Sequence, residues 1–123
     1  MKRPRDAIRE GLARVWDSGG RSFVTFELVR GGRPDPDLWA QWLDGEVNLR
    51  WPFDEDPRTA LPRLGAALPP GAFVASHVPG GSVIVNALDA RIDDVAEFLD
   101  RVFLRVLGAD PRYEVEIRVE SHR

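Results

Sequence analysis

Hydrophobic and polar residues alternate most regularly over residues 38–51, LWAQWLDGEVNLRW, and this pattern predicts a β-hairpin. Asp44-Gly45 lies at its centre, and such a pair favours a type I′ turn, in which both central residues have positive φ. Successive side chains of a strand point to opposite faces. One face of the hairpin then carries only apolar residues, which are Leu38, Ala40, Trp42, Val47, Leu49 and Trp51. The other face is mixed and carries Trp39, Gln41, Leu43, Glu46, Asn48 and Arg50.

Two kinds of periodicity divide the rest of the chain. Apolar residues three and four positions apart predict helices over residues 6–17, 57–68 and 90–107. Alternation with a period of two predicts strands over residues 22–29, 72–78, 82–88 and 113–120. Tight turns between strands favour an antiparallel sheet with helices mainly on one face. We therefore predict one α+β domain over residues 1–123, with the order α-β-β-β-α-β-β-α-β and about five to six strands.

Glycine, proline and aspartate mark the expected ends of these elements. Residues 30–37 hold two glycines and two prolines, which predicts an irregular loop. Asp56-Pro57 is typical of a helix start, with Asp as the N-cap and Pro at the first helical position. Thr59 is an alternative N-cap, because that start would place Pro62 in the first turn, where proline is tolerated. Asp89 is expected to cap the last helix, and Gly108 to end it.

The composition argues against several kinds of catalytic or metal site. The chain has no cysteine, which excludes disulfides, thiolate nucleophiles and cysteine-based metal sites. Its two histidines, His77 and His122, match no zinc motif. The acidic run over residues 54–56 lacks the spacing of a calcium loop and is typical of a helix start. We expect no metal, no cofactor and no enzymatic activity.

Charge and hydropathy predict the location and the class of partner. The formal net charge is −3, and no clustered basic stretch suited to nucleic acid stands out. No apolar run approaches the length of a membrane span, and the N-terminal residues lack the apolar region of a signal peptide. We expect a cytoplasmic protein that binds neither nucleic acid nor a membrane.

The mixed face of the hairpin holds the best functional candidates. Trp39 lies there opposite Arg50, and it meets the strand over residues 22–29 if that strand pairs with the hairpin. A patch that mixes aromatic and polar residues is typical of a protein interface. Two alternatives stay open: the 30–37 loop covers this face, or Trp39 stacks on Arg50. The expected binding residues are Phe23, Val29, Trp39, Gln41, Leu43 and Arg50.

Two stretches of the sequence resemble a known family. They are WAQWLDGEVNLRW, over residues 39–51, and DARIDDVAEFLDRVFLRVLGAD, over residues 89–110. Together with the element order, they are similar to the central hairpin and the last helix of the type III secretion chaperone fold and its YbjN-like (TY-Chap) relatives. This resemblance implies a non-enzymatic, dimeric domain that binds a protein or a peptide. The final strand, over residues 113–120, departs from that pattern and leaves the mode of dimerisation open.

The expected function is therefore binding of a protein or peptide by a chaperone-like or adaptor domain that forms a homodimer. A small immunity- or antitoxin-type protein, which inhibits a partner enzyme, shares the acidic balance and the lack of catalytic residues. An enzyme with an unrecognised carboxylate site is the third hypothesis. Fold resemblance does not by itself establish any of these roles.

Overall fold

The computed structural model describes residues 2–121, so His122 lies outside the described residues. The helices are α1 (Pro4–Ala13), α2 (Pro57–Leu64) and α3 (Ile92–Arg101), the last continued by a π-helical turn over Val102–Val106. The strands are β1 (Ser22–Arg30), β2 (Arg33–Leu43), β3 (Glu46–Arg50), β4 (Phe73–His77), β5 (Ser82–Asn86) and β6 (Val115–Ser121). This order is the one that the sequence predicts.

The strands form a six-stranded antiparallel sheet in the order β4-β5-β3-β2-β1-β6. Consecutive strands β1, β2 and β3 are neighbours, as are β4 and β5, because tight turns join them. Strand β6 follows the helical layer in sequence and returns to pair with β1. Strands β4 and β6 are thus the two edges, and the predicted α+β fold class is confirmed.

The turn between β2 and β3 has the predicted conformation and register. Asp44 has φ 46° and Gly45 has φ 85°, as a type I′ turn requires. The paired positions run from Leu43–Glu46 to Ala40–Leu49, in agreement with the sequence prediction. The ladder ends there, one pair before the predicted opposition of Trp39 to Arg50.

The prediction of an irregular loop over residues 30–37 is wrong. Gly31 and Gly32 both have positive φ and form a tight turn, after which β2 begins at Arg33. The register between β1 and β2 shifts between Glu27 and Val29, so the prolines accompany a bulge within paired strands. This part of β2 pairs only with β1, and strands with one free side tolerate proline.

The hydrophobic core lies between the helices and one face of the sheet. It is built around the buried face of β1, with Val24 and Phe26, and the apolar sides of α1 and α3. Helix α1 approaches β1 closely because residue 11 is glycine. A Cβ at Gly11 would lie 2.7 Å from the Phe26 ring, too near for any real side chain.

The two predicted aspartate caps have different outcomes. The Asp56 carboxylate accepts a hydrogen bond of 2.9 Å from the backbone N–H of Arg58, which confirms the start of α2. Asp89 does not cap α3, whose N-cap is Arg91 without a side-chain hydrogen bond. The chain first closes a turn from Ala87 to Ala90, so the helix begins beyond the reach of Asp89.

We expect Trp42→Ala to lower the free energy of unfolding by about 3–5 kcal/mol, which is typical of a buried aromatic. Trp42 is 4% exposed, and its ring stacks on Trp16 with centroids 4.4 Å apart. Trp39→Ala is the matched control, with a smaller expected loss because Trp39 is only half-buried. Urea unfolding measures both. A larger loss for Trp39 than for Trp42 would mean that the hairpin register is displaced by one residue.

Asp56→Ala is expected to lower the melting temperature at neutral pH. The backbone hydrogen bond from Arg58, with the nearby Arg58 charge as a smaller contribution, holds the pKa of Asp56 below its usual value. A carboxyl group with a lowered folded pKa stabilises the fold above its unfolded pKa, and this stabilisation disappears as the pH falls through the folded value. The difference between wild type and variant should therefore shrink below about pH 4. Thermal melts across that range measure it, and a difference that grows on acidification would contradict the cap.

Candidate functional site

The face of the sheet opposite the core carries side chains from every strand. We call it the open face, because the helices of the described chain pack on the other side. From the edge strand β4 to the edge strand β6, the residues that define it are Phe73, Ser76, Ser82, Ile84, Asn86, Glu46, Asn48, Arg50, Trp39, Gln41, Leu43, Phe23, Thr25, Glu27, Val29, Glu116, Arg118 and Glu120. An open sheet face is normally polar throughout. This one is not.

A row of hydrogen-bonded polar side chains crosses the centre of the open face. Asn48 Nδ2 donates to Gln41 Oε1 over 3.2 Å, and Gln41 Nε2 donates to Thr25 Oγ1 over 3.2 Å. The three residues are direct neighbours in the register of β3, β2 and β1. Asn48 Oδ1 is buried and has no hydrogen-bond partner among the described residues. Buried polar atoms are nearly always paired, so this row has an unmet acceptor on the open face.

Apolar side chains flank the polar row on both sides. Val24 pairs with Trp42, so the next position brings Phe23 beside Leu43 on one side. Trp39 of β2 lies on the other side, opposite Glu27, and Val29 is the next residue of β1 on this face after Glu27. All four of these side chains are half-buried, and Phe73 at the β4 edge is 55% exposed.

The Glu27 carboxylate lies beside Trp39 and is paired within the sheet. Glu27 opposes Trp39 on β2, and its Oε1 is 3.0 Å from the Arg118 guanidinium on β6. Glu27 is 8% exposed and Thr25 is 7% exposed, although none of the helices in the described part of the chain covers them. Their larger neighbours on the open face therefore shield them, and the face is a packed layer of side chains rather than a loose fringe.

The structure places all six sequence-predicted binding residues on the open face. Five of them lie on the neighbouring strands β1 and β2, which separate β3 from the edge strand β6. Arg50 is on β3, where its guanidinium donates to the carbonyl oxygens of Gly80 and Gly81 and so ties the β4–β5 turn to the sheet. Residues 30–37 belong to the end of β1, a two-residue turn and the start of β2 rather than to a separate loop, and the register shift places residues 35–38 next to Trp39.

Other residues of the open face were not among the sequence candidates. Asn48 falls on the mixed face by alternation, but its unpaired oxygen depends on the packing around it. Phe73 and Ile84 join the face only because β5 pairs with β3. The pairing of β3 with β5 joins residues far apart in sequence, and turn motifs between adjacent strands do not predict it.

The described residues hold no built metal site. Within residues 2–121, no group of three or more His, Asp or Glu side chains lies close enough to hold a metal ion. In the same range, no helix has the length and apolar character needed to cross a membrane. The Tyr113 hydroxyl donates to Asp100 over 2.7 Å, and burial together with this bond raises the pKa of Tyr113. That contact ties the start of β6 to α3.

Comparison of the chain with family models, curated proteins and solved structures returned no match. The resemblance to type III secretion chaperones and YbjN-like domains therefore stays a prediction.

We expect Gln41→Met to lower the free energy of unfolding by about 1–3 kcal/mol, because it leaves the Thr25 hydroxyl and the Asn48 amide without partners. The combined replacement Thr25→Val, Gln41→Met and Asn48→Leu removes all the polar groups of the row and should recover most of that loss. Urea unfolding of the two variants tests this. A neutral Gln41→Met would show that the row is not hydrogen-bonded in solution.

Proposed function

We propose that this protein binds a protein or peptide through the open face of its sheet. It works as a non-enzymatic chaperone-like or adaptor domain, and it does so as a homodimer. The observation that supports the binding role is the set of half-buried apolar side chains, with Trp39 among them, on a sheet face that none of the helices within residues 2–121 covers. A patch that mixes partly exposed aromatic, aliphatic and polar side chains is typical of interaction sites in soluble proteins.

The shape of the open face favours a macromolecular partner. Small-molecule sites are concave and enclose most of their ligand. A concavity of about 540 Å³ lies elsewhere, lined by Arg3, Arg5 and Arg105 near the start of α1. The open face is a pleated layer, which suits an extended segment or a flat protein surface.

The chemistry of the open face defines the partner more closely. Apolar side chains lie on both sides of the polar row, so a complementary partner has two sets of apolar side chains. Between them it has polar groups that can hydrogen-bond to the row. The unpaired Asn48 oxygen favours a donor among those polar groups, once the side chains above it move aside. Glu27 and Arg118 already form an ion pair with each other, so a charged side chain of the partner would bind there more weakly than at an unpaired charge.

The binding role predicts that Trp39→Ala weakens binding of peptides selected by the wild-type protein from a phage-displayed random library. Truncation of a central interface aromatic costs roughly 2 kcal/mol or more, which corresponds to about a thirtyfold rise in Kd. Isothermal titration calorimetry measures Kd, and thermal melts establish that the variant is folded.

Leu88→Ala is the matched control for that experiment. Leu88 is 69% exposed, but it lies against Gly45 on the helical side of the hairpin turn. Peptide affinity should be unchanged in this variant. A library that yields no binders, or peptides that bind the Trp39 and Leu88 variants equally well, would contradict the proposed face.

A further inference from the structure

The two edges of the sheet differ in length and regularity. Strand β4 has five residues, and its register with β5 shifts between Val74 and Ser76. Strand β6 has seven residues and pairs with β1 without a shift, from Ser22–Ser121 to Leu28–Val115. Bulged, short edges resist further pairing, whereas a long regular edge is a template for another strand. The β6 edge is therefore the one suited to association.

The backbone groups on the free side of β6 follow from its pairing with β1. The Val29 N–H donates to the Glu114 carbonyl over 2.9 Å, so Val29 and Glu114 form a hydrogen-bonded pair. Such pairs alternate along an antiparallel ladder. Glu116 and Arg118 consequently direct their N–H and C=O groups to β1. The residues between and beside them, Val115, Ile117 and Val119, direct theirs to the free side.

The side chains of β6 separate apolar from charged groups. Ile117 faces the core beside Phe26, and Val115 and Val119 share its face of the sheet. Val119 is 41% exposed, an unusual position for a valine at the rim of a core. Glu116, Arg118 and Glu120 lie on the open face.

We propose that β6 pairs antiparallel with β6 of a second copy of this chain, with Ile117 of one copy opposite Ile117 of the other. This inference depends on the proposed homodimer and specifies its interface. In this register Val115 opposes Val119 of the second copy, so the exposed valine gains an apolar neighbour. Glu116 opposes Arg118 of the second copy, and the two-fold symmetry repeats this oppositely charged pair.

A second register, centred on Arg118, would pair all seven residues of β6, but the charges disfavour it. A dimer centred on Arg118 would place Arg118 opposite Arg118 and Glu116 opposite Glu120, and like charges directly opposite each other are destabilising. The register centred on Ile117 leaves one like-charged pair at each end, Glu120 with Glu114. Glu114 precedes β6, so this pair lies at the rim of the contact.

The proposed pairing joins the two six-stranded sheets into one continuous sheet. The two-fold axis is perpendicular to the sheet, because each copy keeps its helices on the same side. Both open faces then lie side by side on the other side. A dimer of this form presents a doubled binding surface to one long partner or to two short ones.

The experiment is sedimentation equilibrium of wild type, Arg118→Glu, Glu116→Arg and the double charge exchange. Wild type should be a dimer, and each single variant should raise the dimer dissociation constant about tenfold or more, because it opposes like charges twice. The double variant should restore the dimer. It also keeps a cation beside Glu27, since residue 116 lies directly opposite Glu27 on β1. Thermal melts separate lost pairing from lost folding.

Val119→Pro provides a second variant that does not depend on charge. The Val119 N–H points to the free side of β6, so proline removes an intermolecular donor and no hydrogen bond to β1. This variant should be a folded monomer, and Phe73→Ser on the opposite edge should remain a dimer. A monomeric wild type, or a dimer that none of the β6 variants weakens, would overturn the pairing.

Peptide binding distinguishes this interface from the proposed function. If the β6 variants are monomers that still bind peptide through Trp39, both proposals hold. If wild type is monomeric and binds peptide through Trp39, the β6 pairing is wrong and the binding role stands. If the β6 variants raise the dimer dissociation constant while Trp39→Ala leaves peptide affinity unchanged, the β6 pairing holds and the open face is not the binding site.

Discussion

The register of the hairpin formed by β2 and β3 decides which tryptophan is buried and which reaches the open face. Asp44 and Gly45 fix that register through their positive φ angles. A slip of one residue would move every side chain of the slipped strand to the opposite face of the sheet. In the observed register Trp42 stacks on Trp16 within the core, and Trp39 lies beside Glu27 on the opposite side. The same turn therefore places Trp42 in the core and Trp39 on the candidate binding surface.

The helices shield one side of the sheet and leave the other to its own side chains. On that side, hydrogen bonds among Thr25, Gln41 and Asn48 hold the middle strands in register, and the Glu27–Arg118 pair joins β1 to β6. Because these polar contacts order the open face, large apolar side chains such as Trp39 and Phe23 remain there although no second hydrophobic core forms on that side of the described chain. The result is an ordered, partly apolar face, the kind of surface that a partner can cover with little rearrangement.

Local signals in the sequence predicted the parts of the fold that depend on short-range chemistry. The Asp44-Gly45 turn, the Asp56 cap and the two faces of β1 are examples, since each depends on residues close in sequence. The prediction for residues 30–37 was wrong because prolines disfavour strands in general, whereas this part of β2 has a free side where they are tolerated. Strand order, the contribution of Ile84 to the open face and the unpaired Asn48 oxygen arise from long-range packing. No local pattern specifies them.

Site-specific photo-crosslinking in the native cell tests the role of the open face most directly. A benzophenone side chain in place of Leu43 lies on that face, and the same group in place of exposed Ala67 lies on the helical side as a control. We expect covalent adducts with other proteins from position 43 and none of the same adducts from position 67. A range of captured proteins would fit a chaperone-like or adaptor role, whereas a single captured enzyme would favour the immunity- or antitoxin-type alternative. Adducts that are absent at position 43, or identical at both positions, would contradict binding through the open face.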